Sequence, residues 1–359
     1  MVTNVNEQLP YPPGGTPDVS VVMPVYNTPP EYLREAVDGV LAQEFSTFEL
    51  ILVDDACDEP TKAILRDYAA DPRVRVIPSS GRGTGAARQT GLAGAAGKGV
   101  LFLDSDDVFH RRLLADLYDA LTQTEADIAI VPFKKLGRLK VRDRFGSGRR
   151  VISAQEFAPV LFQMTVVMIW NKMFRRSFLT DNDLHFHPLE VSEDLYFTRR
   201  ALSRAKSVVF VNGPPRLNYR IFRRGSVSRT ARRTEGDFLK AVSFLQEEIE
   251  KDGTWPIFHR TFLTLCLSIA QGHARRLGFG RQESFCRRLK EEFFPRWGID
   301  SQGRADYDKK CRPFVRFILG KKDPFRKEWL PAGGYDYYAF GIRVFRYRPH
   351  PLPQDPKKG

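Results

Sequence analysis

The stretch Gly99-Val-Leu-Phe-Leu-Asp104-Ser-Asp106-Asp107 places four apolar residues directly before three carboxylates. A short continuous apolar run is typical of a strand that is buried in a parallel sheet. Three carboxylates this close repel each other unless a cation neutralises them, and Mg²⁺ or Mn²⁺ takes such oxygen ligands. The stretch therefore predicts a buried strand that ends at a metal site. The alternative is an acidic turn that caps the following helix.

Three more buried strands are expected upstream, each followed by a helix with apolar residues at helical spacing. The elements are, in order, Val19–Pro24, Glu31–Gln43, Phe48–Val53, Glu59–Ala70, Val74–Pro78, Gly85–Ala96 and Gly99–Leu103. This alternation indicates an α/β domain with a mostly parallel sheet. The carboxyl ends of parallel strands meet at one edge, so the polar residues after each strand should line one crevice. They are Tyr26-Asn27, Asp54-Asp55, the loop 79–85 and Asp104–Asp107.

Charge is distributed unevenly along the 359 residues. Residues 1–108 contain 8 Lys+Arg and 16 Asp+Glu, whereas residues 109–359 contain 48 and 27, so the balance changes from −8 to +21. Such asymmetry indicates that one part handles a compact ligand and the other meets an anionic surface. Membrane phospholipid, a polyphosphate-like acceptor and nucleic acid are the candidate surfaces, and a solvated basic surface is the structural alternative.

Several classes of protein are excluded. A hydrophobic content of 42% is enough for a sizeable core, which excludes a disordered chain. The sequence has no run of eighteen apolar residues and hence no predicted membrane-spanning helix. Residues 1–17 are rich in proline and are expected to form a disordered leader rather than a signal peptide. The four cysteines lack CxxC or zinc spacing, which favours buried reduced thiols in a cytoplasmic protein.

The pattern changes after Arg111. A helix over Leu113–Thr122 and a strand over Ile128–Phe133 precede a basic segment, Lys134–Arg150, which has eight basic residues and one acid. From Thr234 onward the sequence is mainly helical, and the last forty residues are aromatic, basic and proline-rich. The expected helices are Phe238–Ile249, Ile257–Leu277 and Gln282–Phe294.

Three short motifs have both a functional and a structural interpretation. Glu193-Asp194 is either a carboxylate base that faces the crevice or a pair of charges at a helix N-terminus. Trp170-Asn-Lys172 either lines a sugar pocket or packs a strand. Arg223–Ser228 combines guanidinium groups and hydroxyls beside a glycine, and is either a diphosphate cradle or a solvated basic loop.

A fourth motif is misleading. Gly81-Arg-Gly83-Thr-Gly85-Ala86 has the GxGxxA spacing of a dinucleotide-binding loop. That fingerprint joins the first strand to the first helix, whereas here it follows the third strand. A nicotinamide or flavin site is therefore not expected.

Taken in order, these elements resemble the family 2 inverting glycosyltransferases of the GT-A fold, of the bacterial surface-polysaccharide, exopolysaccharide or teichoic-acid type. The resemblance covers roughly residues 18–228. The matching motifs are Val19-Ser-Val-Val-Met-Pro24-Val-Tyr26-Asn27, Leu41-Ala-Gln43-Glu-Phe, Phe48–Asp55, Gly85-Ala-Ala-Arg88-Gln-Thr-Gly91-Leu, Leu101–Asp107, Trp170-Asn-Lys172, Glu193-Asp194 and Tyr219-Arg220 with Arg224-Gly-Ser226-Val-Ser228. One departure is Ala56-Cys57 after Asp54-Asp55, where Gly-Ser is common in the family.

The resemblance implies roles for individual residues. Asp194 would be the general base with Glu193 tuning or orienting it, Asp106 would coordinate Mn²⁺ or Mg²⁺, and Asp104 would bind ribose or assist the metal. The residues implied in binding the nucleotide-sugar donor are Pro24, Tyr26, Asn27, Asp55, Arg82, Arg88, Asp104, Ser105, Arg224 and Ser226. Among them, Asp55 and the backbone of residues 24–27 would hold the base, and Arg82 the base or a phosphate.

The implied fold is an α/β, Rossmann-like sheet with a mainly helical C-terminal extension. The expected domains are a catalytic domain over 18–228, divided into a nucleotide-sugar half (18–108) and an acceptor half (109–228), and a basic region over 229–359. The implied reaction is metal-dependent, inverting transfer from a sugar nucleotide, with UDP-sugar as the expected donor. A hydroxyl of a cell-surface glycan, a teichoic-type polyol phosphate or a lipid-linked molecule would accept the sugar.

The basic C-terminal portion is expected to touch the inner face of the membrane peripherally or to bind an anionic acceptor. Two other functions remain open from the residues alone. One is a non-catalytic scaffold that binds sugar nucleotides. The other is a nucleic-acid-binding protein, which the pI of about 9.6 suggests but for which the sequence has no base-reading motif, so no nucleic-acid partner is expected.

Overall fold

The computed structural model describes residues 16–136, 149–187, 189, 191–220, 234–277 and 279–320, and the backbone of three strands beyond residue 324. The chain divides into two compact units, Met1–Phe258 and His259–Gly359.

The strands of the first unit are β1 (Val19–Val25), β2 (Phe48–Asp54), β3 (Val74–Pro78), β4 (Gly99–Phe102), β5 (Val108–Phe109), β6 (Ile128–Ile130), β7 (Phe133–Leu136), β8 (Arg149–Ser153), β9 (Lys172–Arg175), β10 (Ser207–Val211) and β11 (Leu217–Arg220). Its helices are α1 (Pro30–Leu41), α2 (Glu59–Tyr68), α3 (Thr84–Ala93), α4 (Leu113–Gln123), α5 (Ala158–Met164), α6 (Arg176–Asp181), α7 (Glu193–Arg204) and α8 (Thr234–Lys251).

The central sheet has eight strands in the order β3-β2-β1-β4-β9-β6-β10-β8. The first four are parallel, and their register pairs Val25 with Asp54 and Asp54 with Pro78. Strand β9 then runs antiparallel to both β4 and β6. The expected α/β class with a mostly parallel sheet is confirmed, and the ends of β1, β2 and β3 meet at one edge. A second sheet, β5-β11-β7, has three strands.

Alternate residues of the strands face opposite layers, as the two-residue period of a strand requires. Val21 and Leu101 belong to one buried cluster together with residues of α1, α2 and α4. On the other face α3 lies so close that a Cβ on Gly91 would come within 2.3 Å of a Val22 methyl carbon. Helices therefore cover both faces, which explains why the sequence of these strands is a continuous apolar run.

The acidic turn after β4 does not cap a helix. Val108 and Phe109 form β5, which pairs with β11, and helix α4 begins only at Leu113, after Arg112 as its N-cap residue. The helix-capping alternative for Asp104–Asp107 is therefore wrong. The carboxylates are instead held in a loop between two strands.

In the second unit, helices pack around the buried Trp297. The indole has ring contacts with Phe262 and Phe293, with centroids 6.1 and 5.4 Å away. Its α-helices, including one that begins in the first unit, are α9 (Trp255–Arg276), α10 (Phe279–Arg288), α11 (Phe294–Arg296) and α12 (Arg312–Ile318), and Leu289–Phe293 is a π-helical turn. A mainly helical C-terminal part was expected and is confirmed.

The aromatic end of the sequence adds an element that the helical pattern does not predict. It forms an antiparallel sheet of β12 (Phe325–Trp329), β13 (Tyr335–Ala339) and β14 (Ile342–Tyr347). Aromatic and β-branched residues favour strands, which is consistent with this arrangement. Among the described residues, no helix combines the length and the apolar character needed to cross a bilayer.

Candidate active site

Asp55 directly follows β2, and its side chain binds the loop before α3. Its carboxylate accepts the Gly83 N–H at 3.0 and 3.2 Å from its two oxygens, and its own N–H donates to Val25 O at 3.0 Å. Burial raises the pKa of Asp55, and the Gly83 N–H opposes that shift. Arg82 is exposed next to Gly83. The structure thus brings Asp55 and Arg82, two of the expected donor-binding residues, to one place.

Side-chain hydrogen bonds connect the residues that follow β1 to the loops that follow β2 and β4. Asn27 Oδ1 accepts the Asp58 N–H at 2.8 Å, and the hydroxyls of Thr28 and Ser105 lie 2.6 Å apart. Asn27 and Ala56 have left-handed backbone conformations, with φ of 44° and 58°. Unlike glycine, Ala56 has a Cβ, and such a residue is strained in this conformation by about 1–2 kcal/mol.

The exposure of the expected base-binding residues differs. Tyr26 is 61% exposed, Asn27 is exposed, and Pro24 is half-buried within β1. An exposed aromatic ring at the end of a central strand is available to a planar ligand. Arg224 and Ser226 lie outside the described residues.

Arg88, on the first turns of α3, binds three carboxylates. Its Nη2 donates to Asp104 Oδ1 at 2.7 Å, and its Nη1 donates to Glu193 Oε1 at 2.9 Å and also to Asp194 Oδ1. Only 2% of the residue is exposed. The guanidinium therefore links the acidic loop after β4 to the first turn of α7. Glu193, in that turn, is 105 residues from Arg88 in the sequence.

The charges of this cluster shift one another. Burial, together with the charge of Asp194, raises the pKa of Glu193 to about 7. Burial also raises the pKa of Asp194, and Arg88 opposes that shift. Burial disfavours the charged form of Arg88, but the three carboxylates outweigh it and raise the pKa of the guanidinium above its ordinary value. At neutral pH the cluster thus combines a permanent cation with a carboxylate pair that can take up a proton, as acid–base chemistry requires.

The local backbone explains how Glu193 and Asp194 reach Arg88. Helix α7 begins at Glu193, directly after Ser192, whose φ of 69° turns the chain sharply. Gly85 lets α3 approach, because a Cβ there would lie 3.2 Å from His187 O and 3.4 Å from Glu193 Cβ. Both acids are therefore helix N-terminal charges, as the structural interpretation held, and both also contact Arg88.

Asp104, Asp106 and Asp107 have carboxylate oxygens within 4.8 Å of one another. Asp107 is fully buried, its Oδ1 accepts the Arg220 N–H at 2.8 Å, and its Oδ2 has no hydrogen-bond partner within the described part of the chain. Burial and the charge of Asp104 raise the pKa of Asp107 well above its ordinary value. A buried carboxylate oxygen without a donor is costly, so this set of oxygen atoms fits a hard divalent cation.

Arg220 supports the acidic loop from β11. Its Nε donates to Asp106 O at 2.9 Å, its Nη2 donates to Glu35 Oε2 at 2.5 Å, and its guanidinium lies 4.2 Å from the ring centroid of Tyr32. The sequence indicates no role for Arg220 within the Tyr219-Arg220 motif and does not distinguish Asp107 from its acidic neighbours. Neither residue has a local signal, because the contacts join positions more than a hundred residues apart.

The motif Trp170-Asn171-Lys172 belongs to the interior. The three residues are 1%, 4% and 0% exposed. Trp170 stacks on Tyr219, with centroids 5.2 Å apart, and meets Phe133 edge-on at 4.6 Å. Of the two interpretations, packing is the one that the structure supports.

Comparison with known proteins places these observations in a family. Residues 20–182 match the family described as Glycosyl transferase family 2. The chain is 26% identical over 347 residues to the poly(ribitol-phosphate) beta-N-acetylglucosaminyltransferase TarS of Staphylococcus aureus, a match that covers 90% of this chain and 57% of that protein. This chain thus spans a little over half the length of that relative. It is 29% identical to the putative glycosyltransferase EpsH of Bacillus subtilis, over 70% of this chain and 77% of EpsH.

A solved structure has the same fold. The crystal structure of S. aureus TarS 1-349 in complex with UDP-GlcNAc superimposes with a TM-score of 0.70 at 21% identity, covering 92% of this chain and 99% of that one. At this identity the likeness concerns the fold. Together with the family match, it shows that residues 20–182 form a glycosyl transferase family 2 domain and that the chain has the GT-A fold.

Proposed function

We propose that this protein transfers a sugar, with inversion, from a UDP-sugar to a hydroxyl of a cell-surface polymer. The observation that carries the proposal is the Arg88 cluster, in which one buried guanidinium contacts Asp104 on the donor side and Asp194 on α7. Inverting transfer needs a leaving-group site and a base at a fixed distance from each other, and a shared cation fixes that distance.

The mechanism assigns the base to Asp194. The acceptor hydroxyl attacks C1 of the sugar as its proton passes to the Asp194 carboxylate, and the bond from C1 to the diphosphate oxygen breaks. Asp104, Asp106 and Asp107 would hold Mg²⁺ or Mn²⁺, which when bound offsets the charge that develops on the diphosphate. Asp55, Asn27 and the exposed Tyr26 would bind the nucleotide base. Glu193 shares Arg88 with Asp194 and orients it.

The proposed acceptor is a polyol-phosphate or glycan polymer. Two observations support it: the relative TarS is named for poly(ribitol-phosphate), and residues 109–359 of this chain have 48 Lys+Arg against 27 Asp+Glu. A basic surface attracts a polyanion and brings its hydroxyls to the active site. We also propose that residues 18–228 form the catalytic domain and that residues 229–359 contribute to acceptor or peripheral membrane contact. UDP-GlcNAc is the first donor to test, because the superimposed TarS structure holds it.

Thermal shift with Mn²⁺ and a panel of UDP, GDP, CDP and ADP tests the donor site. We expect stabilisation that is selective for UDP, requires the metal and follows RT ln(1 + [L]/Kd), which is about 2.7 kcal/mol at a hundred times Kd. Asp106→Ala should abolish the metal-dependent part, because it removes one of the oxygen ligands. Asp67→Ala, which changes an exposed acid on α2 that pairs with Arg34, is the matched control and should respond like the wild type.

The other outcomes separate the alternatives. Selective stabilisation by another nucleotide would keep the fold and change the donor. UDP binding without transfer from any UDP-sugar to polyol-phosphate or glycan acceptors would favour the non-catalytic scaffold. No response to any nucleotide would contradict the proposed donor site.

A further inference from the structure

Two buried hydroxyl groups, those of Thr28 and Ser105, meet between the segment that follows β1 and the acidic loop after β4. Their oxygen atoms lie 2.6 Å apart, although the two residues are 77 positions apart in the sequence. Only 3% of Thr28 and 8% of Ser105 is exposed. Within the part of the chain that the structure describes, neither hydroxyl has another hydrogen-bond partner. Each therefore depends on the other, because a buried hydroxyl without a hydrogen bond is costly.

The backbone on both sides of Thr28 is fixed. Asn27 has a left-handed conformation with a φ of 44°, and its side chain accepts the Asp58 N–H at 2.8 Å. Pro29 disfavours a helical conformation at Thr28, and Pro30 begins α1. The threonine side chain is branched at Cβ, which restricts its rotamers further. Thr28 thus presents its hydroxyl from a rigid segment.

Ser105 lies between two of the proposed metal ligands, Asp104 and Asp106. The residues on either side of it have other partners: Arg88 Nη2 donates to Asp104 Oδ1 at 2.7 Å, and Arg220 Nε donates to Asp106 O at 2.9 Å. The hydroxyl pair adds a contact at the middle residue. The acidic loop is thus held at three consecutive residues, from α3, from the segment after β1 and from β11.

We propose that Thr28 is a positioning residue: its hydroxyl holds Ser105, and with it the backbone between Asp104 and Asp106, in the conformation that binds the divalent cation. The inference rests on the proposed function, in which this loop binds Mg²⁺ or Mn²⁺. Mg²⁺ tolerates little deviation from octahedral geometry. A loop that is fixed beforehand also loses less conformational entropy when the cation binds. Thr28 itself is not a ligand of the cation.

Thr28→Val tests the role of the hydroxyl, because valine keeps the branched shape and replaces the hydroxyl with a methyl group. The substitution changes no charge, so it leaves the electrostatic attraction for a cation as it is. Electron paramagnetic resonance of free Mn²⁺, at saturating UDP, measures the affinity. We expect the Kd for Mn²⁺ to rise by about five- to tenfold, which is the effect of one buried hydrogen bond. Thr28→Ser keeps the hydroxyl and should stay within about threefold of the wild type.

Thr264→Val is the matched control. Thr264 is also 3% exposed, and its hydroxyl oxygen accepts the Asp308 N–H at 3.0 Å in the second unit. This variant loses a buried hydroxyl of the same kind and should bind Mn²⁺ like the wild type. An equal rise of the Kd in Thr264→Val and Thr28→Val would attribute the effect to general destabilisation and contradict the proposal.

The affinity for UDP without metal separates positioning of the acidic loop from loosening of the segment after β1. That segment also contains Tyr26 and Asn27, which we propose to bind the base. Titration calorimetry in EDTA should give Thr28→Val the same Kd for UDP as the wild type. Weakening of metal-free UDP binding by the same factor as Mn²⁺ binding would assign Thr28 to the integrity of that segment and overturn the proposal.

A double-mutant cycle with Ser105→Ala tests whether the two hydroxyls act through each other. If they do, Thr28→Val, Ser105→Ala and the double variant should raise the Kd for Mn²⁺ by the same factor. Effects that add in the double variant would contradict the proposal, and so would an unchanged Kd in Thr28→Val. Ser105→Ala removes the same hydrogen bond from the other side, so the proposal remains testable if Thr28→Val does not fold.

Failure of the proposed function gives different results. Mn²⁺ binding that weakens in Thr28→Val, in a protein that transfers no sugar, would support the positioning role and contradict the activity. A wild-type protein that binds no Mn²⁺ would overturn the proposed metal site and this inference with it.

Discussion

Asp194→Asn should lower kcat by a factor of about 10² or more, because the amide cannot accept the proton of the attacking hydroxyl. The asparagine has the same shape, and its side-chain oxygen still accepts a hydrogen bond from Arg88. UDP binding, measured by titration calorimetry with Mn²⁺, should therefore stay close to that of the wild type. Initial rates of sugar transfer give the kcat.

Glu193→Gln is the matched control for this variant. Glu193 is next to Asp194 and shares Nη1 of Arg88, but it is not the proposed base. We expect a loss of less than tenfold from Glu193→Gln. An equal loss in both variants would assign the base to the pair rather than to Asp194, and loss of UDP binding in Asp194→Asn would place that residue in the donor site.

Arg88→Met should be the most destabilising single substitution at the candidate active site. It leaves three carboxylates, those of Asp104, Glu193 and Asp194, in a part-buried cluster without their cation. Removing one partner of a buried ion pair costs about 3–5 kcal/mol of the free energy of unfolding. Urea unfolding at pH 8, followed by circular dichroism, measures the loss, and transfer activity should be lost with it.

The pH dependence of the Arg88→Met defect identifies its cause. With Arg88 present the pKa of Glu193 is already raised to about 7, and without it the carboxylate pKa values rise further. An acid whose pKa is raised in the folded state binds more protons there than in the unfolded chain, so stability falls as pH rises through the folded pKa. The deficit should therefore be largest above pH 8 and shrink below pH 6. A deficit that is the same at pH 5 and pH 8 would attribute the loss to packing.

Arg75→Met is the control for Arg88→Met. Arg75 pairs with the fully buried Glu49 at 2.9 Å, within the sheet and away from the strand ends at the candidate active site. Breaking this pair should also destabilise the protein by a few kcal/mol. At a temperature where both variants are folded, Arg75→Met should keep the wild-type kcat and UDP affinity. A loss of kcat in Arg75→Met similar to that in Arg88→Met would mean that stability, rather than the cluster, controls activity.

Sequence patterns alone determined the α/β class and predicted the edge of the sheet at which the candidate site lies. Continuous apolar runs such as Val19–Pro24 and Val100–Leu103 carry a local signal for strands covered on both faces. Parallel strands place their carboxyl ends together whatever the details of packing, so the nearness of Asp54-Asp55 to the ends of the neighbouring strands followed from the order of elements. The ordered motifs predicted a family 2 glycosyltransferase domain, and the match over residues 20–182 confirms it.

The tertiary structure decided how the acidic groups are connected. The family resemblance implied that Arg88 binds the donor, but only the approach of α3 to α7 at Gly85 makes it the common partner of Asp104 and Asp194. In the sequence Lys172 is likewise only part of a short motif next to a strand. In the fold its side chain is buried and donates a hydrogen bond to Met168 O. Hydrophobic periodicity reports which face of an element is buried, whereas the partner of a buried charge depends on which distant element packs against it.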